Sequence, residues 1–360
     1  MPPLQEKYFE LLPLLDRASV VSIGEGYTPF FRAKRLGNEL GMSGLWLKDE
    51  TGNPTGSFKD RPIVLGLAKA LELGAETVAT ASSGNAANSL AAGSAKRGVR
   101  CVAFVPEKVP ESKAYLLQHL GATVVRVAAG KDRSVDPTAW LLREACDRFG
   151  WHPVPSFGAF NPYQIEGAKT LAYEICEAGD VDHVVVQVGG AGLLAGVYRG
   201  FRDYLELGFI DQMPMIHAVQ SEGCAPFVKA FQEGRDVVAW DSPSTVAGGI
   251  ADNYTWDWRE GFEALRETGG SAVAVTDAEI LDARRLLGKL EGVFAEPTGS
   301  ASLAGVMALQ REGMLGQGER VCALVTGSGY KDLGPMAGEY RAPPLISSSL
   351  AELERLLPKT

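Results

Sequence analysis

Histidine and cysteine are scarce in this chain: four and five residues in 360. The histidines (His119, His152, His183, His217) lie too far apart to show metal-ligand spacing. The cysteines (Cys101, Cys146, Cys176, Cys224, Cys322) form no CxxC pair, so they read as reduced, mostly buried thiols of a cytoplasmic protein. No apolar run reaches the length of a membrane span, which predicts no membrane partner. The N-terminal MPPLQEKYFELLPLLDR has no basic region ahead of an apolar core, so no signal peptide is expected. Net charge is −9 with no basic stripe, which argues against nucleic acid as a partner. Internal repeats and low-complexity segments are also missing.

What remains is an ordinary globular composition, 46% apolar and 22% charged, with 42 glycines. The length fits two domains or one large α/β domain. Short apolar runs alternate with helical ones. Strands are predicted at Val78 to Ala81, Arg100 to Val105, Ala122 to Val127, His183 to Val188, Met215 to Gln220 and Glu319 to Val325. Helices are predicted at Gly84 to Arg97, Glu111 to Leu120, Thr138 to Phe149, Ile165 to Glu177, Gly192 to Leu207 and Ala278 to Leu290. Near-continuous apolar strands such as CVAFV, VVVQV and VCALV suit a buried parallel sheet with helices on both faces. A terminal helix is expected from Leu345 to Leu357, after the Pro343, Pro344 break.

The stretch KDETGNPTGSFKDR, Lys48 to Arg61, places Lys59 just after a turn of Asn53, Pro54, Thr55 and Gly56. The apolar run Ile63, Val64, Leu67, Ala68, Leu71 then has helical period, so Lys59 sits at a helix start. The helix N-terminus is partly positive, which disfavours a charged amine there. Partial burial behind Phe58 would lower its pKa further. A neutral amine is what a Schiff base with a carbonyl cofactor requires. The competing reading is a solvated lysine that happens to follow a turn.

Three glycine-bearing loops follow predicted strands. GGAGLLAG, Gly189 to Gly196, lets backbone approach an anion at a helix N-terminus. Its Gly190, Gly192 and Ala195 also fit a dinucleotide fingerprint, but the acidic residue that reading wants is about 20 positions on. Glu222 lies 32 residues after Gly190. Tight helix–strand packing is the third reading. TASSGNAAN, Thr80 to Asn88, offers Ser82 and Ser83 hydroxyls, the Asn85 amide and helix N-terminal N–H groups to a carboxylate. An N-cap by Ser83 is the plain alternative. VTGSGYKD, Val325 to Asp332, presents Thr326 and Ser328 after a buried strand. Ligands of open parallel sheets sit beyond the carboxyl ends of the strands, so one pocket accounts for all three loops and the lysine.

Together, GEGYTPF (Gly24 to Phe30), KDETGNPTGSFKDR, SSGNAA, VGGAGLLAG, EPTGSASLAG (Glu296 to Gly305) and TGSGYKD resemble the fold-type II pyridoxal-phosphate enzymes, and among them the threonine synthases. The resemblance covers roughly residues 24 to 335. It implies two α/β domains, each with a mostly parallel sheet flanked by helices, and pyridoxal 5'-phosphate in the cleft between them. Residues 1–53 plus 157–340 would form the larger domain, 54–156 the smaller one, and 341–360 a helical tail. By resemblance Lys59 is the Schiff-base lysine and Phe58 packs on the cofactor ring. Asn85 hydrogen-bonds its phenolic oxygen, and Gly189, Gly190, Ala191, Gly192 and Leu193 hold its phosphate. Thr326 faces the pyridine nitrogen. Ser82, Ser83 and Asn85 grip the substrate carboxylate, and Gln164 faces the substrate. No metal is implied, and a homodimer is expected.

Threonine synthases act on O-phosphohomoserine and need a second phosphate site. Three positions depart from that pattern: Ala86 where threonine is usual, Gly190 where asparagine is frequent, and Gln164 where arginine is usual. Losing an arginine from a dianion site removes charged hydrogen bonds of roughly 1.5–3 kcal/mol each. Lys113, Arg126 or Lys169 could restore the charge. GGAGLLAG and TVAGGIAD (Thr245 to Asp252) look closer to the serine/threonine ammonia-lyases. GEGYTPF and TGSGYKD, however, are threonine-synthase-like, and the expected activity is threonine synthase. The alternatives are an ammonia-lyase or a β-replacement enzyme on an unphosphorylated hydroxy-amino acid and, remotely, a nicotinamide-binding dehydrogenase.

Overall fold

Consecutive apolar residues become buried interior strands in the computed structural model, which describes residues 1–128, 136–331, 333, 340 and 343–356. Ten strands are present among the described residues: β1 (Phe30–Arg32), β2 (Leu45–Asp49), β3 (Thr77–Ala81), β4 (Arg100–Pro106), β5 (Thr123–Val127), β6 (His152–Pro153), β7 (His183–Gln187), β8 (Met215–Ser221), β9 (Ala272–Val275) and β10 (Val321–Val325). Six form a sheet in the order β1-β2-β10-β7-β8-β9, parallel except for the antiparallel β1–β2 pair. The other four form an all-parallel sheet, β5-β4-β3-β6. Every residue of β7 and β10 is buried, as a parallel strand covered on both faces requires.

The helical expectations hold with small shifts of boundary. The Asp277–Leu286 helix ends in a π-turn at Leu287–Glu291, where one continuous helix was expected. The tail holds a helix at Leu350–Leu356. Residues 341, 342 and 357–360, and Asp332 of TGSGYKD, lie outside the described residues. The short strands β1, β2, β6 and β9 were not legible as runs, since β1 and β6 are only 3 and 2 residues long.

Helix contacts of unusual closeness hold the first turn of the Asp60–Glu72 helix in place. A Cβ on Gly167, in the Pro162–Ala178 helix, would lie 2.4 Å from the Arg61 carbonyl oxygen. A Cβ on Gly196, in the Gly192–Glu206 helix, would lie 2.5 Å from the Ala168 Cβ. Only glycine permits these approaches. They bring the lysine-bearing helix, the Pro162–Ala178 helix and the helix behind GGAGLLAG into backbone contact.

Behind that turn lies a buried charge network. The Arg61 guanidinium donates through Nε to Glu50 Oε2 (2.6 Å), through Nη1 to Glu174 Oε1 (2.9 Å), and through Nη2 to Glu50 Oε1 (2.9 Å) and Glu174 Oε2 (2.8 Å). Thr28 and Thr170 hydroxyls take further bonds, at 3.1 Å each. Lys48 Nζ donates to Glu174 Oε2 at 2.6 Å. These cations hold the Glu174 carboxyl down to about 2, against burial, which alone would raise it. Arg61 itself is pushed upward by the two carboxylates.

Removing one member of such a network leaves buried charge uncompensated. Arg61→Leu is expected to destabilise the fold by about 3–5 kcal/mol in urea denaturation. The carboxyl of Glu174 has a folded pKa below its ordinary value, so its contribution is complete above about 4.5 and is lost as pH falls towards about 2. Wild-type stability should drop across that window. A flat profile there would show that Glu174 is not held by the network.

Candidate active site

Lys59 is the N-cap residue of the Asp60–Glu72 helix, the place its sequence context predicts. Its Nζ donates to Ser156 Oγ at 2.6 Å and lies 4.9 Å from the centroid of the Phe58 ring. Burial lowers the pKa of this amine; the carboxylates of Asp252, Asp257 and Glu296 pull it back up. Desolvation is the larger influence, so the net direction is down. The solvated-lysine reading gives way to a half-buried lysine hydrogen-bonded to Ser156.

Phe58, Lys59, Ser156, Gln164, Gly192 and Leu193 line one cavity. Two elements from distant parts of the sequence meet there. The Phe58 N–H donates to the Thr326 carbonyl at 2.9 Å, and Ser57 bridges Gly327. Thr326 is 1% exposed at the end of β10, and its hydroxyl accepts from the Gln187 amide. The Gln187 Oε1 is buried without a hydrogen-bond partner.

GGAGLLAG forms the turn between β7 and the Gly192–Glu206 helix. Ala191 takes a left-handed conformation, φ 70°, as the N-cap of that helix. An acidic side chain already rests on this loop: a Cβ on Gly189 would lie 2.6 Å from Asp252 Oδ2. Burial pushes the Asp252 carboxyl up to about 6; Lys59 and the Gly190 N–H act the other way. Asp257 is also raised to about 6 by burial, and accepts from the Gly158 and Ala159 N–H groups at 3.1 and 3.2 Å. Its own N–H donates to the Gly190 carbonyl, 2.9 Å away, so it stitches the 156–160 loop to the glycine turn.

The SSGN turn opens the Asn85–Arg97 helix after β3. Its N-cap is Gly84, with no side-chain cap, so Ser83 is not spent on capping. Ser82 Oγ accepts from the Gly84 N–H at 3.2 Å. The Asn85 amide is held from the other sheet: Nδ2 donates to Glu296 Oε1 at 2.8 Å, and Oδ1 accepts from Lys331 Nζ.

Gln164 is 1% exposed and spends its Nε2 on the carbonyls of Pro155 (2.9 Å) and Phe157 (2.8 Å). Its Oε1 is buried without a partner. Ala86 is buried. The Phe157 ring covers Gly190, where a Cβ would lie 2.6 Å from ring atom Cδ1. Lys169 is engaged with the Leu11 carbonyl, Glu166 and Asp203. Arg126 donates to the Val109 carbonyl. Lys113 acts on Lys331, whose pKa it lowers.

Sequence reasoning missed Ser156, Phe157, Gln187, Asp257 and the roles of Asp252, Glu296 and Lys331. Asp252 ends one quoted motif, Glu296 opens another, and Lys331 is the penultimate residue of TGSGYKD. The others carry no local signal.

The model of a family described as pyridoxal-phosphate dependent enzyme matches residues 21–327. The threonine synthase of Methanocaldococcus jannaschii is 36% identical over 356 residues, 98% of this chain and 86% of the relative. That of Synechocystis sp. is 34% identical over 338 residues, covering 91% and 83%. Among solved structures, the threonine deaminase of T.th. superposes with a TM-score of 0.71 at 27% identity, covering 91% of this chain and 98% of that one. Diaminopropionate ammonia lyase from Escherichia coli, at 20% identity and a TM-score of 0.75, shares the fold. The dinucleotide reading of GGAGLLAG gives way to this family match. The chain belongs to the pyridoxal-phosphate-dependent enzymes, in the family of the threonine synthases.

Proposed function

We propose that this protein is a threonine synthase, converting O-phosphohomoserine and water to threonine and phosphate. The observation that carries the reading is its likeness to threonine synthases across nearly its whole length, with a half-buried Lys59 at a helix start. The site's donor set fits pyridoxal phosphate. Burial shifts the amine of Lys59 towards its neutral form, and the turn at Gly189–Leu193 sets backbone N–H groups at a helix N-terminus, as an anion cradle requires. Phe58 would flank the ring, Thr326 would meet its nitrogen, and Asn85 its phenolic oxygen.

When bound, the cofactor supplies an electron sink for the charge left at the substrate's α-carbon. Lys59 is the chain's general base: its neutral amine takes the α-proton and carries protons between carbons. A Cβ proton is removed as well, the Cγ–O bond breaks and releases phosphate, and Cγ gains a proton to become the methyl group. Water supplies the hydroxyl that adds at Cβ, and Cα is reprotonated, the remaining proton leaving with the phosphate. Ser82 and Ser83, with the uncapped N–H groups at the start of the Asn85–Arg97 helix, hold the substrate carboxylate. The reading keeps the smaller domain at 54–156, since the four-stranded sheet lies between residues 77 and 153. It also keeps a cytoplasmic homodimer serving threonine biosynthesis, which light scattering of the purified protein checks for size.

A second reading, an ammonia-lyase on unphosphorylated threonine or serine, is favoured by one feature. The positions that would meet the distal phosphate are Ala86, Gly190 beneath the Phe157 ring, and Gln164 turned to backbone carbonyls.

Three measurements test these readings. Borohydride reduction of the holoenzyme should label Lys59 alone; a label elsewhere overturns its role. Gly192→Val should raise the dissociation constant for pyridoxal phosphate at least tenfold, a loss of about 1.4 kcal/mol. Unchanged binding would make the loop a packing device. Finally, the enzyme is given O-phosphohomoserine, threonine and serine in separate reactions. Phosphate and threonine from the first support the synthase; a 2-oxo acid from the others supports the lyase. In the same assay Gln164→Arg should lower the Michaelis constant for O-phosphohomoserine, by about tenfold for each 1.4 kcal/mol regained. No improvement would place Gln164 away from the phosphate.

A further inference from the structure

We infer that Lys331 is a positioning residue: together with Glu296 it fixes the side-chain amide of Asn85 in one orientation across the cleft. Asn85 belongs to the turn after β3 of the four-stranded sheet, whereas Lys331 follows β10 of the six-stranded one and Glu296 precedes the Pro297–Arg311 helix. An ammonium group has only donors and a carboxylate only acceptors. The Asn85 Oδ1 meets Lys331 Nζ, and its Nδ2 meets Glu296 Oε1 at 2.8 Å. Rotating the amide by half a turn would set N–H against ammonium and carbonyl against carboxylate. Two charged bonds would be lost and two repulsions gained, so a single orientation holds.

This orientation has a consequence for the cleft. An amide nitrogen carries two hydrogens. Glu296 takes one, and the second is offered as a donor in a fixed direction. Under the cofactor reading above, on which this inference rests, that donor is the one for the phenolic oxygen. Lys331 packs beside Gly56, whose φ of 76° favours glycine; a Cβ there would be in van der Waals contact with the lysine's Cε at 3.4 Å. Burial and, to a smaller extent, Lys113 push the Lys331 amine down, while Glu296 and Asp60 act the other way. Lys331 thus acts through Asn85 and needs no contact with substrate.

The test is a double-mutant cycle on the holoenzyme with Asn85→Ala, Lys331→Met and both together. The readouts are the pH midpoint of the bound cofactor's visible absorbance and kcat/KM. Asn85→Ala should move the midpoint, and Lys331→Met should move it in the same direction and lower kcat/KM about tenfold, the size of one charge-assisted bond. The double variant should stay close to Asn85→Ala alone, since the hydrogen bond to the amide is the direct link from Lys331 to the cofactor site. Lys331→Arg, which keeps the donors and the charge, should restore most of the wild-type midpoint. Additive effects in the double variant, or an unmoved midpoint in Lys331→Met beside a moved one in Asn85→Ala, overturn the positioning role. An unmoved midpoint in Asn85→Ala itself overturns both that role and the assignment of Asn85 to the phenolic oxygen.

Discussion

The pairing of Arg61 with Glu50 and Glu174 is the constraint on which the site depends. Arg61 lies two residues from Lys59 on the same helix turn and is wholly buried. A lone guanidinium there would carry a desolvation penalty of several kcal/mol. It is tolerated because both carboxylates meet it with good geometry and two threonine hydroxyls take further bonds. The partners come from three places: Glu50 after β2, Glu174 on the Pro162–Ala178 helix, and Thr28 in the GEGYTPF loop. Their common focus sets where the first turn of the Asp60–Glu72 helix must sit, and with it Lys59. The network is structural in one sense and functional in another. It contributes little net stability against apolar replacement of the whole network, yet it specifies one arrangement of three elements.

The amine of Lys59 is governed by a contest of two influences of opposite sign. Burial disfavours the ammonium form, while Asp252, Asp257 and Glu296 favour it. Two of those three carboxyls are themselves displaced upward by burial, to about 6. A carboxyl that resists ionising is a weaker counter-charge, so the acids do less to hold a proton on Lys59 than their number suggests. Glu296 is also drawn into bonding with Asn85. The result is a lysine that burial keeps available as a nucleophile and base.

Much of this was legible in the sequence because the chemistry is concentrated in contiguous motifs. The placement of Lys59 at a helix start, of the Gly189–Leu193 turn after β7 and of Thr326 after β10 could be read from a strand, a glycine turn and a helix start in succession. The central strands were readable from apolar runs alone. What could not be read depends on tertiary contact. Arg61 and Glu174 are 113 residues apart, and each looks like an ordinary surface charge in its own helix. Ser156 and Phe157 sit in a loop with no motif, and only the fold brings them to Lys59 and Gly190. The helix-dipole argument for Lys59 gave the right direction, but burial is the larger cause.

Gly190 shows how tightly the loop and its neighbour are bound together. A side chain at 190 and the present placement of the Phe157 ring exclude one another, since even a Cβ would overlap the ring at 2.6 Å. Phe157 is held in turn by packing against Phe160 and Trp256, and its carbonyl is tied to Gln164. An asparagine at 190 would therefore require the ring, the aromatic cluster and the Gln164 bond to shift together. An arginine at 164 could still donate to both carbonyls, but it would place a full charge at a position that is 1% exposed. The departures at 164 and 190 are thus one coupled packing solution: glycine admits the ring, and the neutral amide holds the ring's backbone in place.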